Sequence, residues 1–345
     1  MSIQKHFRTF HDAIKLSKQD DAYKAARERD GSITKDIRRV FKDASHPVIE
    51  DFIQGSFSTD TAILKNDGDF DIDRAIVIDE ETAPENPVTP KIVICDDVLE
   101  KRGFKNAKVK KPCVTADYMS ENLHIDFPVY RKTGGSYELA IGKRNSDKQN
   151  QKWENADPKG LSDWIKDKSA YIGSADSKLG QYNRIVRFLK RWRDEKFSVA
   201  VAAKVYSIGI TVMAKRSFSP YFDDDGAPDD LTALKSTVSQ MLIGGYFSAI
   251  GNDQYQVSVT LPVQPWRDIF NGSSVDTATQ FRNKLKRLES KLQSAISESD
   301  EIMQCKILRD MFGEDFPVPE KSSGNSNTKK ATFSSAGAVG TSQGA

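Results

Sequence analysis

The sequence predicts an α+β protein, with a mixed α/β lobe, a helical lobe and a cleft between them. Strand-like segments rich in β-branched residues lie mostly in the first half, and from Leu161 onward the apolar residues recur mainly at helical spacing. The length of 345 residues suits about two lobes, and 38% hydrophobic with 29% charged residues is typical of a globular chain. The predicted units are N-terminal helices with an α/β lobe over 1–160, a helical lobe over 161–320 and a disordered tail over 321–345.

The first lobe is predicted to begin with helices between residues 5 and 45, with an interruption near Gly31. A strand follows at Asp71–Asp79, because its β-branched centre is flanked by turn formers. The patterns also predict strands at Cys113–Met119 and Leu123–Tyr130, and a loop or sheet edge over the proline-rich residues 82–90.

Helices dominate the predicted second lobe. Tyr182, Ile185 and Leu189 belong to an apolar stripe on a strongly basic helix. Strict alternation from Tyr255 to Leu261 predicts one strand. Further helices are predicted at Val199–Ala214, Leu231–Ile250 and Thr277–Met311. The tail is rich in Ser, Gly, Ala and Thr, so it buries too little apolar surface to become ordered.

Charge and cysteine content exclude several classes of protein. The 51 Lys and Arg residues nearly balance 49 Asp and Glu residues, so any attraction to nucleic acid must come from local patches. Three cysteines without metal-site spacing indicate a reducing compartment and no disulfide framework. With no signal-like or membrane-spanning apolar stretch, the sequence predicts a cytoplasmic protein without a membrane partner.

The segment Asp69-Phe70-Asp71-Ile72-Asp73 contains the candidate metal-binding carboxylates. Side chains alternate along a strand, so Asp71 and Asp73 emerge on one face with neighbouring carboxylates. Two such charges about 4 Å apart repel by roughly 4 kcal/mol at an effective dielectric near 20, which favours a cation between them. Hard oxygen ligands with no cysteine or histidine nearby in the sequence suit Mg²⁺, with Mn²⁺ as the alternative.

A third carboxylate comes from a later strand. Ile125 and Phe127 form an apolar face there and leave Asp126 on the opposite face. If the two strands are neighbours, three carboxylates converge as in two-metal phosphoryl and nucleotidyl transfer. Gly55 and Ser56 precede a turn and would offer a backbone amide and a hydroxyl to phosphates.

Other interpretations of this segment stay open at this point. A lone D-x-D more often caps a strand or faces solvent than binds metal. A calcium loop beginning at Asp69 would place Glu80 at position 12, but position 6 is Arg74 where such loops need glycine. Spacing alone also leaves open whether Asp69 or Asp73 is the partner of Asp71.

The order of these motifs resembles the polymerase-β-type nucleotidyltransferases. The sequence around these motifs is similar to that of the bacterial cGAS/DncV-like enzymes, known as CD-NTases or SMODS nucleotidyltransferases of CBASS anti-phage defence. The resemblance runs from about residue 5 to residue 315 and is carried by QGSFSTDTAI, GDFDIDRAIVI, LHIDFPVYR and WENADPKGLSDWI.

This resemblance implies roles for seven residues. Asp71, Asp73 and Asp126 would bind two Mg²⁺ ions and act in catalysis, and Gly55 and Ser56 would contact phosphates. On the helical lobe, Lys190 and Ser207 match a lysine and a serine that hold the donor triphosphate. From the residues alone, Lys190 fits a solvated basic face equally well, and Ser207 inside an apolar helix fits a back-bond to the preceding turn.

The implied function is synthesis of a cyclic di- or trinucleotide second messenger from nucleoside triphosphates. ATP is the expected donor, and cyclic tri-AMP is one candidate product. The implied partners are a HORMA-type regulatory protein and, as an alternative activator, nucleic acid. Two other functions remain open: a linear nucleotidyltransferase acting on RNA, protein or a small molecule, and a catalytically inactive nucleotide-binding scaffold.

Two further charged segments stand out. Six basic residues lie between Lys101 and Lys111, where a solvated surface is favoured over phosphate-backbone binding because no aromatic platform accompanies them. The acidic segment from Asp223 to Asp230 is predicted to cap a helix or face solvent.

Overall fold

The computed structural model describes residues 3–65, 69–167 and 175–320. The predicted tail over 321–345 lies outside the described residues. The strands are β1 (Val48–Gln54), β2 (Phe70–Asp79), β3 (Lys108–Val109), β4 (Val114–Tyr118), β5 (Leu123–Phe127), β6 (Val129–Thr133), β7 (Ser136–Ile141), β8 (Lys152–Ala156), β9 (Phe247–Gly251) and β10 (Gln254–Val257). The helices are α1 (Gln4–Ile14), α2 (Asp21–Asp43), α3 (Gly55–Ser58), α4 (Val88–Ile92), α5 (Pro158–Lys166), α6 (Ala175–Lys196), α7 (Val199–Ala202), α8 (Ser207–Ser217), α9 (Asp230–Ile243), α10 (Val275–Ser297) and α11 (Glu301–Phe312).

Strand β2 lies at the centre of a mixed sheet. The order is β3-β4-β5-β2-β6-β7-β8, and β1 also pairs with β2. Strand β1 is antiparallel to β2, whereas β5 and β6 are both parallel to it. A mixed sheet followed by a helical lobe confirms the predicted α+β class.

Alternation along β2 separates two environments. Ile72, Ile76 and Ile78 pack into the core formed with α2. Ala75 and Val77 point to the other face, where they pack with Tyr130, Tyr137, Leu139 and Ile141. Asp71 and Asp73 share this second face because they differ from Ala75 by even numbers of residues. The first lobe therefore presents both carboxylates away from the α2 core.

The helical lobe has its own core, and α1 contributes to it. Phe10 of α1 stacks on Phe188 of α6 with ring centroids 5.2 Å apart. Phe10 also packs against Phe312 of α11 at 5.3 Å, and Phe7 packs against Phe316, just after α11, at 5.2 Å, so α1 packs on the last helix described. Among the described residues, no helix combines the length and apolar character that a bilayer crossing requires.

Several predicted elements in the first lobe have different boundaries. Gly31 does not interrupt α2, because the buried flanking residues hold the helix together and outweigh a glycine cost of about 1 kcal/mol. The predicted strand over Leu123–Tyr130 is two strands separated by Pro128. Residues 82–90 are not entirely loop: α4 begins at Val88, and Pro90 is tolerated because it lies in the first helical turn.

The second lobe is also more divided than predicted. The predicted helix over Val199–Ala214 is two helices, because Tyr206 is extended just before α8. Helix α9 ends at Ile243, next to Gly244 and Gly245, and β9 occupies the rest of the predicted helix. The predicted strand from Tyr255 ends at Val257, and the final predicted helix is divided where Asp300 caps α11.

Candidate active site

A glycine turn closes strand β1 beside one of the predicted carboxylates. Gly55 has φ +67°, and a Cβ atom added to it would lie 2.0 Å from Asp73 Oδ2. This close approach follows from the sheet, since Gln54 is the cross-strand partner of Asp73. The Ser56 carbonyl accepts a hydrogen bond of 2.9 Å from the Thr61 amide, which returns the chain after α3. Only glycine fits this turn without displacing the carboxylate.

The three predicted carboxylates converge on the second face of the sheet. Asp73 is the register partner of Asp126 in the parallel pair β2–β5. Neighbouring strands are separated by about 4.8 Å, so these two side chains lie side by side. The Asp71 side chain is 49% exposed and that of Asp126 25% exposed. Asp71 thus faces the open side of the cluster, while Asp73 and Asp126 form its half-buried wall.

The electrostatics of Asp73 fit a divalent cation. Burial, followed by the charges of Asp126 and Asp71, raises its pKa to about 7. Lys65 Nζ lies 3.4 Å from Asp71 Oδ2, and Lys110 Nζ lies 3.7 Å from Asp126 Oδ1. The charge of Lys110 favours ionisation of Asp73 but does not offset burial and the repulsion from the other two carboxylates. Oxygen donors that repel one another in this way suit Mg²⁺ or Mn²⁺. The residues present therefore fit a metal of the predicted kind.

Asp69 has other partners. Its carboxylate lies 2.6 Å from Lys65 Nζ and 3.1 Å from His124 Nε2. His124 Nδ1 is in turn 3.2 Å from Asp117 Oδ1. Ligand atoms of Asp69, Asp71 and His124 lie within 4.8 Å of one another, so this group adjoins the main cluster. The prediction that no histidine lies near the carboxylates is therefore wrong, because strand pairing brings β5 beside β2. Asp73, and not Asp69, lines the cavity with Asp71 and Asp126, which favours the Asp71 and Asp73 pair.

Arg74 argues against the calcium-loop interpretation. Its side chain is buried on the α2 face of the sheet and bonds to Asp30, with Nη1 2.9 Å from Asp51 Oδ2. Residues 70–79 continue as a strand where a calcium loop would need to turn.

Lys190 is buried, so the solvated-face interpretation of this residue is wrong. It is 5% exposed, and its Nζ donates to the Thr61 carbonyl at 2.9 Å and to Thr61 Oγ1 at 3.2 Å. Burial, followed by the charges of Arg193 and Arg187, lowers its pKa to about 7. A phosphate bound beside this amine would restore its positive charge. The geometry thus places this amine in the wall of the cavity that the three carboxylates also line.

Two neighbours of Lys190 hold the same segment of chain. Arg187 Nε donates to the Ala62 carbonyl at 3.1 Å, and Arg191 Nη2 donates to the Leu64 carbonyl at 2.7 Å. Both arginines are 2% exposed. We call residues 60–64 with these three cations the α6 clamp. It joins the helical lobe to the chain that leads from the glycine turn to β2.

Ser207 is the first residue of α8, and its Oγ accepts a hydrogen bond from Arg193 Nη1. Sequence reasoning missed Arg193 and Lys65, which both line the cavity. Arg193 lies three positions after Lys190, and residues at this spacing share a helix face, so the spacing was an available signal. Lys65 carried no comparable signal, because a single lysine in a loop has no periodicity.

The cavity has a volume of about 570 Å³, within the usual range for small-molecule sites. Residues of the sheet, of α3, of α6 and of α8 all contribute to its walls. It brings together all seven residues singled out from the sequence: Gly55, Ser56, Asp71, Asp73, Asp126, Lys190 and Ser207.

The other charged segments have local partners. Lys101 pairs with Asp97 at 2.7 Å, and Arg102 pairs with Asp36. Asp229 caps α9, as predicted for the acidic segment. Its neighbour Asp230 is neither a cap nor at the surface, because it is fully buried with Arg184 Nε at 2.6 Å.

Comparison with known proteins gives a family match. Residues 1–169 match the model of the Second Messenger Oligonucleotide or Dinucleotide Synthetase domain. A cyclic GMP-AMP synthase of Escherichia albertii is 27% identical over 197 residues, which are 55% of this chain and 42% of that protein. The chain thus spans less than half the length of that curated relative.

Solved structures are similar over nearly the whole chain. Vibrio cholerae DncV, solved as a mutant with ATP, GTP and 5MTHFGLU2, has a TM-score of 0.68 at 17% identity and covers 91% of this chain and 97% of its own. Escherichia coli MS115-1 CdnC, solved in a complex with HORMA-deltaN, has a TM-score of 0.62 at 15% identity and covers 91% of this chain and 98% of its own. At these identities the likeness concerns the fold, and it agrees with the predicted nucleotidyltransferase lobe followed by a helical lobe.

Proposed function

Because the chain belongs to the bacterial cGAS/DncV-like nucleotidyltransferases, the CD-NTase family, we propose that it synthesises a cyclic di- or trinucleotide second messenger from nucleoside triphosphates. One observation supports this most strongly: Asp71, Asp73 and Asp126 converge in a cavity that Lys190 also lines. A binding module alone has no need for three adjacent carboxylates with one pKa raised to about 7.

Each group has a role in the proposed reaction. Gly55 and Ser56 would contact the donor phosphates through a backbone amide and a hydroxyl, and Lys190 and Ser207 would hold the triphosphate from the helical lobe. Asp71, Asp73 and Asp126 would hold Mg²⁺ or Mn²⁺, which supplies Lewis-acid stabilisation of the phosphoryl oxygens and a lowered pKa for the attacking hydroxyl. A ribose hydroxyl would form the new P–O bond at the α-phosphorus, pyrophosphate would leave, and Asp126 would help to accept the hydroxyl proton.

Substrate and partners follow from the relatives. ATP is the proposed donor, and DncV and CdnC have been solved with ATP. A cyclic trinucleotide such as cyclic tri-AMP fits the proposal as well as a dinucleotide. A HORMA-type protein is a proposed regulator, because CdnC has been solved in a complex with HORMA-deltaN. The proposed setting is anti-phage signalling in the cytoplasm, with nucleic acid as an alternative activator.

The test is product analysis with labelled nucleoside triphosphates and Mg²⁺, followed by phosphatase treatment and mass spectrometry. A cyclic product has no terminal phosphate, so it retains its label after phosphatase treatment. A linear product loses the label on its terminal phosphate. Asp71→Asn combined with Asp73→Asn should reduce turnover at least thousands-fold, since such a loss corresponds to several kcal/mol of transition-state stabilisation. The matched control is Asp97→Asn, which removes a 44% exposed carboxylate paired with Lys101.

Three outcomes distinguish the alternatives. A phosphatase-sensitive product indicates the linear nucleotidyltransferase. Binding of Mg²⁺-ATP without pyrophosphate release, with and without the HORMA-type partner, indicates the inactive scaffold. Near-normal turnover of the double variant rejects the assignment of Asp71 and Asp73.

A further inference from the structure

A row of paired residues crosses the sheet at the carboxylates. Asp73 on β2 pairs with Asp126 on β5, and Asp126 pairs with Thr115 on β4. Lys108 on β3 pairs with Thr115 at the edge of the sheet. Cross-strand partners project from the same face, so Thr115 stands directly behind Asp126 as seen from Asp73.

Thr115 makes one side-chain hydrogen bond that matters for this row. Its Oγ1 donates to Asp126 Oδ1, and the residue is 5% exposed. A buried hydroxyl in a strand has restricted rotation, because threonine is branched at Cβ. Thr115 therefore holds one oxygen of the Asp126 carboxylate in a fixed position, while the Asp126 side chain remains 25% exposed toward the cavity.

The strand that carries Thr115 is itself held in place. The turn between β3 and β4 is fixed by Lys91, which is fully buried. Its Nζ donates to the carbonyls of Lys111 at 2.8 Å, Lys110 at 3.2 Å and Gly142. This turn also places Lys110 Nζ 3.7 Å from the oxygen that Thr115 contacts. The strand that carries Thr115 is thus tied by hydrogen bonds to a buried lysine.

We propose that Thr115 is a positioning residue that orients the Asp126 carboxylate for binding a divalent ion. The inference rests on the proposed function, since it assigns Asp126 to the metal. A ligating carboxylate is commonly oriented by a hydrogen bond from a second residue, and loss of such a bond typically costs 10- to 100-fold in metal affinity or activity. The Thr115 hydroxyl contacts only Oδ1 of Asp126, and the carboxylate also has a side-chain hydrogen bond with Cys113. Two carboxylate oxygens offer about four lone-pair sites, so these two contacts leave acceptor sites for a metal.

The test compares Thr115→Val, which keeps the shape but lacks the hydroxyl, with Thr115→Ser, which keeps the hydroxyl. Binding of Mn²⁺ alone to the full chain is followed by electron paramagnetic resonance, and the Mg²⁺ concentration for half-maximal turnover is measured separately. Thr115→Val should weaken Mn²⁺ binding and raise the Mg²⁺ requirement by about 10- to 100-fold. Thr115→Ser should restore both to within about threefold of the parent protein. If Thr115→Val does not fold, Thr115→Ala replaces it.

Parallel measurement of Asp126→Asn and of the product of the parent protein separates failure of this inference from failure of the proposed function. If Asp126→Asn loses turnover and Mn²⁺ binding while the hydroxyl-free variants keep both, only the role of Thr115 is overturned. A Thr115→Ser variant as defective as Thr115→Val also overturns it, because a purely structural role would explain that result. If Asp126→Asn itself keeps Mn²⁺ binding and turnover, the assignment of Asp126 to the metal fails. If the parent protein makes no cyclic product, the proposed function fails.

Discussion

At the scale of single residues, the site depends on atoms packed more closely than ordinary side chains allow. Gly55 and Asp73 are the clearest pair, because no Cβ fits between them. Asp73 is in turn held beside Asp126 by the register of two parallel strands. A small displacement at Gly55 would therefore be transmitted directly to the carboxylate cluster.

Replacement of Gly55 tests this contact. Gly55→Ala should lower turnover by roughly 100-fold, since misplacement of a reacting group by about 1 Å has a cost of that order. It should also destabilise the fold by at least about 1–2 kcal/mol, because alanine disfavours the left-handed backbone. Turnover and the free energy of unfolding are measured together.

Gly134→Ala is the matched control. Gly134 also has a positive φ, of +59°, but nothing lies within 4 Å of an added Cβ. It should show similar backbone strain with turnover within about twofold of the parent. Equal losses of turnover in the two variants would mean that strain, and not the contact with Asp73, is responsible.

Local rules were enough to predict the carboxylates. Alternation along one strand puts Asp71 and Asp73 on one face, and it separates Asp126 from Ile125 and Phe127. Burial of Lys190 did not follow from such rules, because its partner Thr61 is 129 residues earlier in the chain. The contact between Thr115 and Asp126 depends on strand pairing, which the sequence pattern does not specify.

At the scale of elements, the packing of α1 on α6 joins the start of the chain to the helical lobe. His11 on α1 has its Nε2 3.1 Å from Arg187 Nη1, and Arg187 belongs to the α6 clamp. Its Nδ1 lies 3.2 Å from Asp12 Oδ1. A neutral imidazole that donates from Nδ1 and accepts at Nε2 satisfies both contacts. Protonation would place a second cation beside the arginine.

The stability of the protein should therefore depend on the charge of His11. Burial, followed by the charge of Arg187, lowers its pKa from 6.5 to about 4. The folded protein then binds fewer protons than the unfolded chain between these values, so this contribution to stability is present above pH 6.5 and lost as the pH falls toward 4. Between pH 7 and pH 4.5 the free energy of unfolding of the parent protein should fall by about 1–3 kcal/mol more than that of His11→Gln.

Denaturant unfolding of both proteins over this pH range provides the measurement. His11→Gln keeps an acceptor for Arg187 and cannot titrate, so carboxylate titrations common to both proteins cancel in the difference. Parallel pH profiles for the two proteins would contradict the assignment of a neutral, buried His11.

The existence and type of most elements could be predicted, but not where each ends. Pro128 divides a predicted strand, and Gly244 with Gly245 marks the end of α9 that the apolar pattern extended to Ile250. Both signals are present in the sequence, but the prediction gave more weight to the continuous apolar runs around them. The extended backbone at Tyr206 was not predictable in this way, because it depends on packing around the start of α8.

At the scale of the whole molecule, the cavity exists because two cores meet along the chain that follows the glycine turn. In one core α2 packs against the sheet, and in the other α1 packs with α6 and the later helices. The α6 clamp connects them through backbone carbonyls of residues 61, 62 and 64. The carboxylates of one lobe and the basic side chains Lys190 and Arg193 of the other therefore line the same cavity.

The central claim is that Asp71, Asp73 and Asp126 jointly bind divalent ions beside a nucleoside triphosphate. The most direct test is a crystal structure with Mn²⁺ and a non-hydrolysable ATP analogue, in which anomalous scattering locates the metal. We expect two Mn²⁺ ions ligated by these three carboxylates, with the triphosphate reaching toward Gly55 and Lys190. Anomalous peaks elsewhere, or a triphosphate bound with no ion among the three carboxylates, would contradict it.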